Sequence, residues 1–278
     1  MKGIFYNHLQ AQKHMNTANK IESEKYSPDF RLDGKIAIIT GASKGIGEGL
    51  SYALASAGAK VALLSRNIGE LRTVAEKINS QGGVAKAYQM DLSAISSIRT
   101  AIEKVYQDFG RIDILVNNAG LGFNHAALDI TENDWDEMMD VNLKGLFFCC
   151  QVAGKIMLEQ KCGSIVNMSS QASVVAIKNH AVYCTGKGGV NQLTKVLALE
   201  WAEQGVKVNA VSPTFIQTPG TAERLADPDF YQSVVDQIPM GKVGEIKDVA
   251  GAVIYLASAA SSMVTGQNLL VDGGWTIL

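Results

Sequence analysis

The feature that most limits the fold is an alternation. Short apolar, β-branched runs are separated by stretches rich in helix formers, so that strand and helix alternate along the chain. The runs are Lys35–Thr40, Val61–Leu64, Ala85–Met90, Ile112–Val116, Ser164–Met168, Val206–Val211 and Asn268–Val271. Helices are predicted over Gly47–Ala57, Glu70–Asn79, Ser96–Phe109, Asp134–Gln160, Ala181–Gln204 and Ile246–Ser258. Strands that read as nearly continuous apolar runs are buried on both faces, which is the signature of a parallel sheet with crossover helices. The fold class predicted is therefore α/β, a single doubly wound domain over residues 32–278, with a seven-stranded parallel sheet and helices on both faces. Residues 1–31 read as a polar N-terminal arm, loosely ordered or packed at a subunit interface. The stretch Ser212–Gly244, rich in Pro and Gly, is too long for an ordinary connection and is expected to be a functional lid.

Composition enters mainly by exclusion. A formal net charge of -2 gives no basic surface for nucleic acid. No apolar run reaches the roughly 18–20 residues of a membrane helix, and the N-terminus lacks the apolar core of a secretory signal. The cysteines, Cys149, Cys150, Cys162 and Cys184, form no C-x-x-C pair and read as reduced, in a cytoplasmic setting. The histidines form no metal spacing and no triad signal.

The first strand runs into Thr40-Gly41-Ala42-Ser43-Lys44-Gly45-Ile46-Gly47. Glycines let backbone N–H groups approach a phosphate, and the following helix directs its positive end at that anion. The spacing is neither the G-x-G-x-x-G fingerprint nor a P-loop. At the end of the second strand, where a carboxylate would accept from the ribose of NAD, stand Ser65 and Arg66, with Lys44 close by. Two cations and no acid favour the 2′-phosphate of NADP, and Arg66 has the fork to bind it bidentately. NADP(H) is therefore expected, with NAD(H) as the alternative.

Tyr183 and Lys187 lie four apart on a predicted helix, so they share a face at roughly 6 Å along the axis. A neighbouring ammonium favours the phenolate; a depression of about 3 pH units corresponds to roughly 4 kcal/mol and brings the phenol towards working pH. Tyr-x-x-x-Lys alone is common. Here Ser169-Ser170 and Asn117-Asn118-Ala119-Gly120 stand at neighbouring strand ends, where doubly wound sheets bind ligands.

With those pieces in place, the chain resembles the single-domain short-chain dehydrogenase/reductases, whose fold is of Rossmann type. The matching elements are Thr40–Gly47, Asp91-Leu92, Asn117–Gly120, Asn142, Ser170, Tyr183-x-x-x-Lys187 and Val208-Asn209. The resemblance covers about Leu32 to Leu278. It implies that Tyr183 is general acid or base, that Lys187 tunes it, that Ser170 holds the substrate oxygen and that Asn142 anchors a relay water. It implies cofactor contacts from Gly41, Ser43, Lys44, Gly45, Ile46, Gly47, Ser65, Arg66, Asp91, Leu92, Asn118, Ala119, Gly120, Tyr183, Lys187, Pro213, Ile216 and Thr218. It also implies a homotetramer or homodimer. Where the family usually has Pro-Gly, this chain has Pro213-Thr214, which puts the local turn in question. Gln171, His180, Phe215 and Gln217 are expected at the substrate. The reaction expected is interconversion of a secondary alcohol and a ketone on a sugar, sugar acid or polyol. The alternatives are a 3-oxoacyl-thioester reductase of fatty-acid synthesis, which needs a basic docking patch, and a non-catalytic dinucleotide sensor, which needs no proton relay.

Overall fold

A computed structural model of the chain describes residues 26–277. The strands are β1 (Ile36–Thr40), β2 (Lys60–Ser65), β3 (Val84–Gln89), β4 (Ile114–Asn117), β5 (Gly163–Met168), β6 (Val206–Pro213) and β7 (Asn268–Val271). They form one parallel sheet in the order β3-β2-β1-β4-β5-β6-β7. The order reverses between β1 and β4, so a crevice opens off the C-terminal ends of those strands.

Every residue of β1 is buried, and its side chains alternate between two cores. Ala37 and Ile39 pack with Leu50, Leu54, Leu71, Val249 and Val253, from helices α1 (Gly45–Ser56), α2 (Ile68–Ser80) and α9 (Ile246–Ala257). Ile36 and Ile38 pack on the other face with Ile98, Ile102, Cys149, Met157, Val190 and Leu197. Those come from α3 (Ile95–Phe109), α5 (Leu146–Gln160) and α6 (Ala181–Trp201).

The predicted helix over 134–160 is not regular. A short helix α4 (Glu132–Met139), started by a capping box between Thr131 and Asp134, passes into a π turn over Asp140–Gly145 and then into α5. At the end of that turn, a Cβ on Gly145 would lie 2.5 Å from the carbonyl oxygen of Leu92, so backbone meets backbone there. Taken together, 132–160 is long and apolar enough to span a bilayer by length and composition, against the expectation from sequence. Its Cys149, Cys150, Ala153 and Met157 are fully buried in the second core, so it serves here as a core helix.

The stretch 212–244 is also more ordered than expected. β6 continues to Pro213, and two helices follow, α7 (Pro219–Leu225) and α8 (Pro228–Val235). Each begins with a side-chain cap, Thr218 or Asp227, directly before a proline whose missing N–H costs nothing at a helix start. Most of the predicted N-terminal arm lies outside the described residues. Its last part packs on the domain: the Ala260 N–H donates to the Asp29 carbonyl, and the Phe30 ring sits 6.3 Å from that of Tyr255.

Candidate active site

The β1–α1 turn is a cradle of backbone. Gly41 and Gly45 have φ of +66° and +62°, in the left-handed region that glycine enters freely. A Cβ on Gly47 would lie 2.1 Å from the Gly41 carbonyl oxygen and 2.5 Å from Asn118 Nδ2. No side chain caps the start of α1. Its first N–H groups therefore lack a side-chain acceptor, and the helix end attracts an anion. Thr40 ties the turn to the loop after β4: its Oγ1 accepts from the N–H groups of Asn118 and Ala119, each at 3.0 Å.

A cleft of about 680 Å³ runs from this turn past Ser65, Arg66, Asp91 and Leu92. Gly41, Ser43, Lys44, Ile46, Gly47, Asn118, Ala119, Gly120 and Thr218 line it as well. The Asp91 carboxyl is held below its usual range, chiefly by hydrogen bonds from the N–H and hydroxyl of Ser93. The cleft adjoins a second cavity of about 400 Å³, and the two share Ile46, Asn118, Gly120, Leu121 and Thr218. The second cavity is lined by Ser170, Gln171, His180, Tyr183, Lys187, Pro213, Phe215 and Ile216 among others.

Lys187 is buried, and its ammonium donates to the Met168 carbonyl at 2.7 Å. Ser169 Oγ returns a bond to the Lys187 carbonyl at 3.2 Å, so α6 is latched to the end of β5. Burial pushes Lys187 down to about 8. The ammonium lies 5.7 Å from the centre of the Tyr183 ring. Burial raises the Tyr183 phenol, while the Ser170 hydroxyl works in the opposite direction. The net shift is upward, so the protein alone does not supply the depression expected from the Tyr–Lys spacing. Ser170 is itself fixed, its Oγ accepting from the Ala172 N–H at 3.2 Å. The His180 ring meets Tyr183 edge-on at 6.2 Å, and its Nδ1–H donates to the Lys178 carbonyl.

Some expected residues stand elsewhere. Asn142, in the π turn, lines neither cavity; it is buried behind them, and its amide exchanges bonds of 2.7 and 2.8 Å with the N–H and C=O of Leu121. Gly45 shapes the turn but does not line the cleft. Gln217 is exposed outside the cavity, where its N–H donates to the Gly244 carbonyl, so it is removed from the expected substrate contacts. Thr214 does not break the chain path, because its N–H donates to the Val271 carbonyl at 3.2 Å and continues the ladder with β7. Its hydroxyl is buried without a partner among the described residues. Leu121, Asn124, Ile177, Thr221 and Arg224 line the cavity without having been expected. The last two lie on α7, whose signal was the Thr218-Pro219 start.

A family profile described as enoyl-(acyl carrier protein) reductase matches residues 41–276. A D-threitol dehydrogenase of Mycolicibacterium smegmatis is 40% identical over 249 residues, covering 90% of this chain and 95% of that protein. An NAD-dependent glycerol dehydrogenase of Listeria innocua is 37% identical over 252 residues, 91% of this chain and 98% of that one. The crystal structure of a gluconate 5-dehydrogenase from Burkholderia cenocepacia in complex with NADP and tartrate superposes with a TM-score of 0.87 at 36% identity, covering 90% of this chain and 98% of that chain.

Proposed function

Because the chain belongs to the short-chain dehydrogenase/reductase family, and so is an NAD(P)-dependent oxidoreductase acting on CH–OH groups, we infer that it prefers NADP(H) and interconverts a secondary alcohol and a ketone on a small polar substrate, a sugar, sugar acid or polyol. The observation that carries this reading is the meeting of Tyr183, Ser170 and Lys187 in a cavity that opens onto the glycine-lined cleft.

The residues of the cleft fit a dinucleotide: a cradle that a Cβ would fill, an uncapped helix start, and Ser65, Arg66 and Lys44 at the ribose end. Gly41 to Gly47, with Asn118 to Gly120, would hold it. When bound it gives or takes the hydride. The chain's own residues handle the proton. Tyr183 passes its hydroxyl proton to the carbonyl oxygen in reduction and removes it in oxidation, and Ser170 orients that oxygen. A phenol raised by burial keeps its proton, which suits the acid role. Lys187, near 8, is poised to exchange protons beside it, and Asn142 holds the Leu121 loop that closes this corner and would anchor a relay water. Exposed Leu199 on α6 and Leu269 and Leu270 on β7 fit the expected homotetramer. A 3-oxoacyl-(acyl-carrier-protein) reductase among the relatives favours one second reading, a 3-oxoacyl-thioester reductase.

Tyr183→Phe should lower kcat by about 10²–10⁴-fold while NADPH binding, followed by fluorescence, persists; retained turnover refutes the mechanism. Arg66→Ala should raise the KM for NADPH roughly tenfold more than that for NADH. Equal changes refute the cofactor preference. A panel of sugars, sugar acids, polyols and acyl thioesters, read by cofactor absorbance, separates the two substrate readings.

A further inference from the structure

Among the described residues, no aspartate or glutamate lines the 400 Å³ cavity. Its cationic side chains are Lys187 and Arg224. Lys187 is committed to the Met168 carbonyl. Arg224 takes part in none of the ion pairs among the described residues. Its guanidinium lies over the Phe230 ring at 4.5 Å. Phe230 meets Phe215 edge-on at 5.9 Å, and Phe215 stacks on Trp275 at 5.9 Å with 24° between planes.

This column draws on α7, α8, the segment after β6 and the C-terminal turn. A guanidinium held by its face keeps its in-plane N–H donors free and loses little further side-chain entropy on binding. Its fork matches a carboxylate. An arginine at the lip of a cavity with no acid among its described lining residues has no anionic partner there and a geometry suited to an acidic ligand. It lines the cavity of Tyr183 and not the dinucleotide cleft.

We propose that Arg224 receives the carboxylate of the substrate, so that open-chain polyhydroxy acids are preferred to neutral polyols of the same length. This rests on the reading of a small polar substrate at Tyr183 and narrows it.

The test uses matched pairs, gluconate against glucitol and threonate against threitol, with the full chain and saturating NADP. The wild type should favour the acid of each pair. Arg224→Ala should lower kcat/KM for the acids roughly tenfold or more, mainly through KM, and lower it far less for the polyols. Arg224→Lys, which keeps the charge and loses the fork, should fall between. The acid preference should also weaken as salt rises, since the site is exposed. The proposal is overturned if Arg224→Ala affects acid and polyol alike, if its effect falls on the KM for NADPH, or if the wild type oxidises only polyols. That last outcome leaves the broader reading standing, whereas turnover of acyl thioesters and of neither pair overturns both. Thermal melting checks that the variants remain folded.

Discussion

Lys187 is held against its own preference for water. Burial lowers it to about 8, whereas a lysine in the unfolded chain titrates near 10.4. Between those values the unfolded chain holds more protons than the folded one, so stability rises with pH across that window. Below about 8 the charge is present in both states, and the folded protein carries the full cost of burying it. Lys187→Met should therefore raise stability at pH 7 by roughly 1–2 kcal/mol, after allowing for the lost bond to the Met168 carbonyl, while abolishing turnover. Thermal melts of both proteins should converge as pH rises from 8 to 10. A gap that widens with pH overturns the account. Tyr183 and Lys187 were legible from their spacing, but their protonation was not. That depends on how completely β5 and α6 close around them, which no spacing of residues encodes.

At the scale of elements, the β1–α1 turn is where sequence and geometry agree most closely. The glycines foretold a close backbone approach, and Gly47 faces the Gly41 carbonyl oxygen with no room for a methyl group. Gly47→Ala forces backbone apart, so it should cost about 1–3 kcal/mol in thermal or urea denaturation and weaken NADPH binding at least tenfold by titration. Wild-type binding in this variant would mean that the turn is not the phosphate cradle. Strands and most helices were legible because buried strands are apolar throughout and helix ends carry glycine. Two elements were misread for identifiable reasons. The π turn left no mark in the apolar pattern, because helical periodicity persists on either side of it. The segment over 212–244 was read by its proline content, although Thr218-Pro219 and Asp227-Pro228 are helix starts. Arg224 was missed with it.

The whole molecule divides its tasks between the two ends of the sheet. Tyr183, Ser170 and the glycine turn stand off the C-terminal strand ends. At the N-terminal ends, Asp113 is buried just before β4 and gathers neighbouring groups. Its carboxylate accepts from the Ile36 N–H at 2.9 Å and from Arg111 Nε at 2.9 Å, with Lys35 Nζ at 3.8 Å. Removing it leaves a buried N–H at the start of β1 without its acceptor. Asp113→Ala should therefore cost about 2–4 kcal/mol of stability and leave kcat/KM unchanged well below the melting temperature. A fall in kcat/KM at 25 °C would show that the ends are coupled.

The π turn over 140–145 imposes a rule on how this chain tolerates changes of length. Each residue added to or removed from a helix rotates everything beyond it by about 100°. Here the turn sets Asn142 against Leu121 and, a few residues on, Cys149 and Met157 against the sheet. A single insertion or deletion between 142 and 149 would satisfy one of these contacts and swing the other away. A chimera that borrows this helix from a relative must therefore take the whole span, turn included, as one indivisible cassette.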